Sequence, residues 1–159
     1  MKDQIMLSKQ QKNTLIKDLL KSGVMLRIQV TGFSMEPFLS NGDVVKIQKV
    51  RPDRLLPGDL VFFVNQQGSL ILHRLIKKKK TENGAIRLQT KGDALVCCDE
   101  LFRPDHLIGK VCMIEKKDSA RQINLESLQI RIISYLFALF QRFKINILFF
   151  MKPGLQVMR

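Results

Sequence analysis

The middle of the chain alternates short apolar stretches with tight-turn signals and leaves no room for helices between them. Residues 24–30, 44–50, 60–64, 70–76, 86–90 and 108–114 are rich in Val, Ile, Leu or Phe, and several alternate apolar with polar. Between them stand Asn41-Gly42-Asp43, Pro57-Gly58-Asp59 and Gln67-Gly68. Such clusters reverse the chain, because glycine takes positive φ, proline fixes its own φ, and Asn or Asp bonds its own backbone. Strands joined by tight turns pair antiparallel, whereas parallel pairing needs a long crossover. The spacing therefore predicts a mainly β chain built on a partly closed antiparallel β-sheet of about six short strands. Residues 77–84, four lysines followed by Thr-Glu-Asn-Gly, read as a basic hairpin tip.

Helical spacing appears only at the two ends. Leu15, Ile16, Leu19 and Leu20 recur on one face, Ser8 can cap the start and Gly23 can end the turn, predicting a helix over 9–22. From Leu125, the residues Leu128, Ile132, Ile133, Leu136, Leu139, Phe140, Phe143 and Ile147 keep the same period, interrupted by Arg131, Arg142 and Lys144, with Lys152 and Arg159 beyond. Placing Arg142 and Lys144 in mid-bilayer would cost roughly 2.5–3.5 kcal/mol each. The tail is therefore expected to lie in a lipid interface, or to pack on its own domain or a partner, and not to span. A chain of 159 residues makes one domain. Its segments are an amphipathic helix at 1–23, a catalytic β domain at 24–118 and a basic amphipathic helix and tail at 119–159.

Charge and cysteine content narrow the class. Lys and Arg outnumber Asp and Glu to give a net charge of +13, which calls for an anionic partner. No stacking aromatic motif, zinc spacing or helix-turn-helix pair accompanies that charge, so a membrane surface is favoured over nucleic acid. Cys97, Cys98 and Cys112 form no disulfide framework, since adjacent cysteines rarely bridge, and an odd count fits a reducing compartment. No CxxC or HxxxH spacing exists, so neither metal nor cofactor is expected. Charges interrupt residues 1–21, which leaves no export signal or anchor there. The expected location is peripheral, on the cytoplasmic face of a membrane.

Three positions can carry chemistry. Ser34, in Thr31-Gly32-Phe33-Ser34-Met35-Glu36-Pro37, follows a strand and precedes a turn, and Gly32 would let a backbone approach closely. A hydroxyl needs a base within hydrogen-bond reach to become a nucleophile. The chain has two histidines, His73 within an alternating strand and His106 in a loop-like stretch after Pro104-Asp105. A catalytic imidazole needs an acceptor on its other nitrogen, and Asp93 and Asp99 are both available.

In order along the chain, Gly32-Phe33-Ser34-Met35-Glu36-Pro37, Gly42-Asp43-Val44-Val45, Pro57-Gly58-Asp59-Leu60-Val61, His73-Arg74, Lys91-Gly92-Asp93-Ala94 with Asp99, and Ile108-Gly109-Lys110-Val111 resemble the catalytic domain of signal peptidase I. That family shares a superfamily with the self-cleaving repressors of the SOS response. Most bacterial members use a lysine base where His73 stands; histidine there resembles the endoplasmic-reticulum and spore-former branch. The resemblance implies the signal-peptidase sheet fold and a serine endopeptidase acting on an extended peptide, with Ser34 as nucleophile, His73 as general base and Asp99 as essential acid. Asp93 then lies in the glycine-aspartate turn beside the site. Two departures stand out: Gly32 replaces a serine that often helps hold the oxyanion, and 1–21 is not the family's membrane anchor. A non-enzymatic or self-processing regulatory module of the same fold is the alternative.

Overall fold

The computed structural model describes residues 8–119 and 121–151, with side chains as far as Lys144. Residues 1–7 and 152–159, including Lys152 and Arg159, and the side chain of Ile147 lie outside the described residues. Helix α1 (Lys9–Lys21) is followed by strands β1 (Leu26–Gln29), β2 (Val44–Gln48), β3 (Leu60–Val64), β4 (Leu70–Lys80), β5 (Ile86–Lys91), β6 (Leu107–Glu115) and β7 (Gln122–Asn124), then helix α2 (Leu128–Met151).

All seven strands join one antiparallel sheet whose path runs β1-β2-β6-β3-β4-β5. The sheet is open, with β1 and β5 at its two ends. Long β6 carries β2 along one edge; β3 and then β7 share the other, pairing with its first and second halves. The sequence reading missed β7, because three residues are too few for an alternation to register. It also misplaced the lysine run. Residues 77–80 belong to β4 and pair with 86–89, and the hairpin tip lies beyond them at 81–85. Lysine is a poor strand former, but pairing with β5 overrides that weak preference.

Both faces of the sheet are covered. Leu60 and Phe62 join Leu20, Met35, Leu39, Val45, Ile47 and Val111 in one core, while Val61 and Phe63 join Leu55, Leu75 and Leu88 in another. This explains why β3 is apolar without alternation: successive side chains enter different cores. Helix α1 caps the first core with Leu20, 1% exposed. Its start is fixed by a reciprocal capping box, Ser8 Oγ accepting from Gln11 N–H and Gln11 Oε1 from Ser8 N–H.

The loop from β1 to β2 is closed by Asp43, 2% exposed. Its carboxylate accepts from Lys116 Nζ at 2.7 Å, Ser40 N–H at 2.9 Å and Lys117 N–H at 3.1 Å. Burial pushes this carboxyl up, but the Lys116 ammonium and the two backbone donors more than offset it, and its pKa lies below the ordinary aspartate value. A depressed carboxylate stabilises the fold above its unfolded pKa, and that contribution is lost as pH falls through the folded one. Asp43→Asn is therefore expected to lower stability at neutral pH by about 3 kcal/mol. It should also flatten the loss of stability below pH ~4. Urea unfolding across that range reads both, and parallel pH curves for variant and wild type would contradict the assignment.

Candidate active site

Ser34 rides on the β1–β2 loop, which buried Met35 and Leu39 anchor to the first core. Gly42 N–H donates to Val30 O, and Leu39 N–H to Met35 O, so the loop is held at its neck and through its turn. Gly32 has φ +94°, the left-handed region, with nothing within 4 Å of where a Cβ would stand. Its role is conformational, and the close approach expected there from sequence falls instead at Gly92. A Cβ on Gly92 would lie 2.6 Å from Ser34 O, and the neighbouring Ala94 N–H donates to that same oxygen at 3.0 Å. The 92–95 turn thus grips the backbone of Ser34 from the far side of the sequence.

His73 lies on β4 opposite Val61 of β3, on the same face as Ile71 and Leu75, and is 6% exposed. Its Nε2 is 3.1 Å from Ser34 Oγ, and its Nδ1 is 2.6 Å from Asp99 Oδ2. An ionised carboxylate only accepts, so Nδ1 donates to Asp99 and the neutral ring keeps Nε2 free to accept from the serine hydroxyl. Asp99 is itself held: its N–H donates to Thr90 O at 2.8 Å, and Thr90 Oγ1 donates to Oδ2 at 2.6 Å. Ser34, His73 and Asp99, far apart in sequence, form one hydrogen-bonded line.

Asp93 does not join it. Both its oxygens accept from Arg74, Nε at 2.8 Å and a terminal guanidinium nitrogen at 2.7 Å, and Arg74 is fully buried. The guanidinium also donates to Gly58 O at 3.0 Å and lies over the rings of Phe38 and Phe137. His106 is likewise apart, its Nδ1 3.1 Å from Val64 O.

Around Ser34 and His73 opens a cleft of about 340 Å³, lined by Ile28, Val30, Gly32, Met35 and Leu72. No family model matches the chain. Over 67 residues the chain is 37% identical to the signal peptidase complex catalytic subunits of Homo sapiens, Mus musculus and Canis lupus familiaris. That stretch is a signal-peptidase-like sequence. It covers 42% of this chain and 35% of each relative, so the chain matches about a third of the length of these curated proteins. The similarity supports a signal-peptidase-like protease and extends no further along the relatives.

The contacts made by several supporting residues escaped the sequence reading. Thr90, whose hydroxyl bonds the Asp99 carboxylate, sits in an ordinary strand ending. Lys91 is buried, and its ammonium donates to Gln141 Oε1 at 2.8 Å and to Gly92 O at 3.3 Å. Burial draws its pKa below the ordinary lysine value against the opposing pull of Asp93. Gln141 in turn donates to Asp93 O at 3.2 Å, so α2 braces the turn that grips Ser34. Gln141, set among the apolar residues 136–140 of α2, was the available signal, because a buried amide needs partners.

Proposed function

We propose that the chain is a serine endopeptidase of the histidine type within the signal-peptidase-like proteases, acting on an extended peptide. The observation that carries this is one imidazole bridging a serine hydroxyl at 3.1 Å and a carboxylate at 2.6 Å. Ser34 Oγ attacks the scissile carbonyl carbon as its proton passes to His73 Nε2, and the imidazolium that forms is stabilised by Asp99. Collapse of the tetrahedral intermediate breaks the C–N bond, and His73 gives its proton to the leaving amine. Water, deprotonated by His73, then releases the acid from the Ser34 ester. The Ser34 N–H, which makes no backbone hydrogen bond among the described residues, is the donor assigned to the oxyanion.

The rims of the cleft support an extended substrate. Val30 N–H donates to Asp43 O, so by the two-residue period the backbone groups of Gln29 and Thr31 face away from β2. Opposite them, Leu75 N–H donates to Asp59 O, so the backbone groups of Leu70 and Leu72 face away from β3, and β5 pairs with β4 only from Arg74 onward. A peptide can add as a strand along either edge and deliver a carbonyl to Ser34. Signal-peptide processing, with small residues before the cut, is the activity this reading assigns. Synthetic peptides with alanine at the residues before a single scissile bond should be cleaved by wild type and left intact by Ser34→Ala. Equal cleavage by both proteins would overturn the proposal.

A further inference from the structure

Helix α2 turns its back on the active site as much as it braces it. Taking about 100° per residue, Ser134, Ala138 and Gln141 share the inner face. Ala138 is 0% and Gln141 5% exposed. Ile132, Ile133, Leu136, Leu139, Phe140 and Phe143 occupy an arc roughly 120° wide on the opposite side. All six are exposed, from 37% at Leu139 to 62% at Phe143. Apolar patches of this kind on a soluble surface mark contact with something else.

The charges say what that is. By the same rotation Arg131 and Arg142 flank one edge of the arc and Lys144 the other, and the helix contains no acidic residue. Lys144 Nζ lies 5.0 Å above the Phe140 ring, its stem running along the apolar face. Arg142 also adds to a like-charged cluster on β4. Lys79, then burial and Arg142, press the Lys77 ammonium below the ordinary lysine value, a repulsion that a nearby anion would relieve. Among the described residues no helix is long and apolar enough to cross a membrane. An outward apolar arc with cations on both rims is the pattern of a helix lying in a lipid interface, its rim charges at the head groups.

We infer that the outer face of α2 docks the protein onto an anionic lipid surface. Apolar side chains enter the head-group boundary, while Arg131, Arg142 and Lys144, with Lys77 and Lys79 alongside, meet lipid phosphates. The inference is independent of the peptidase assignment, because none of these residues touches Ser34, His73 or Asp99.

The chain has no tryptophan, so Phe143→Trp supplies a single reporter on the docked face. Its emission should shift to the blue, and brominated lipid should quench it, on addition of vesicles containing equal parts phosphatidylcholine and phosphatidylglycerol. Phosphatidylcholine alone should do neither. Arg142→Gln with Lys144→Gln should weaken partitioning roughly 25-fold, each surface cation contributing about fivefold. Ile132→Ser with Leu136→Ser, both at exposed positions, should remove vesicle binding while far-ultraviolet dichroism stays at wild type. Exposed emission in the presence of anionic vesicles would overturn the inference. So would blue-shifted emission before any lipid is added, which would report a second copy or another segment covering the helix.

Discussion

Asp99→Asn is expected to lower kcat by about 10⁴ while thermal stability stays near that of wild type. The Asp99 side chain is 25% exposed and accepts from two donors at one oxygen, His73 Nδ1 and Thr90 Oγ1, each at 2.6 Å. An amide keeps the shape and can still satisfy the threonine. Where its NH₂ faces the ring, however, Nδ1 must become the acceptor and Nε2 the donor. Ser34 then loses its base without any movement of backbone. The two readouts separate a positioning role from a structural one, since a merely structural aspartate would lose stability and activity together. A variant retaining a tenth or more of wild-type kcat would refute the role given to Asp99.

Its neighbour in sequence should behave in the opposite way. Asp93→Ala is expected to cost roughly 3–5 kcal/mol of stability, because it leaves a buried guanidinium without its carboxylate. For a chain of this size that is a fall in Tm on the order of 10 °C. Arg74 is 0% exposed and would keep only Gly58 O and the faces of Phe38 and Phe137. Replacing both partners, Arg74→Met with Asp93→Leu, should recover much of the loss, since a packed apolar pair can substitute for a buried ion pair. Thermal unfolding of the single and double variants forms the cycle, and a single variant within 1 kcal/mol of wild type would contradict it. Because Ala94 holds Ser34 O, any activity lost in Asp93→Ala should track the fraction unfolded and the loosening of that turn.

What the sequence revealed and what it hid follow from how far each signal reaches. Alternation in 44–50 and apolar runs such as 60–64 disclosed the strands, because burial imposes a period of two or a continuous stretch on residues that are neighbours in sequence. The 77–80 run was misread since charge is a surface signal and says little about pairing; those lysines lie in β4 with Lys78 tied to Asp53 O and Leu55 O. For the site, Ser34 and His73 stood out through their boxes. The residues alone left Asp93 and Asp99 as equal candidates, and only the family resemblance singled out Asp99. Six residues apart in one loop, they are sorted only by what lies across the fold, Arg74 beside one and His73 beside the other. Gln141 is the extreme case, acting on the Ser34-gripping turn from 48 residues away through Asp93 O.

The whole functional reading rests on the hydroxyl of Ser34 being made reactive by the ring of His73. A fluorophosphonate forms a bond to an activated serine oxygen and releases fluoride, so intact-mass measurement followed by peptide mapping reads that reactivity without any knowledge of the natural substrate. Wild type should carry one adduct, on Ser34, and His73→Ala, folded by circular dichroism, should carry none. An unmodified Ser34 in wild type, or an adduct formed equally fast without the imidazole, would contradict it.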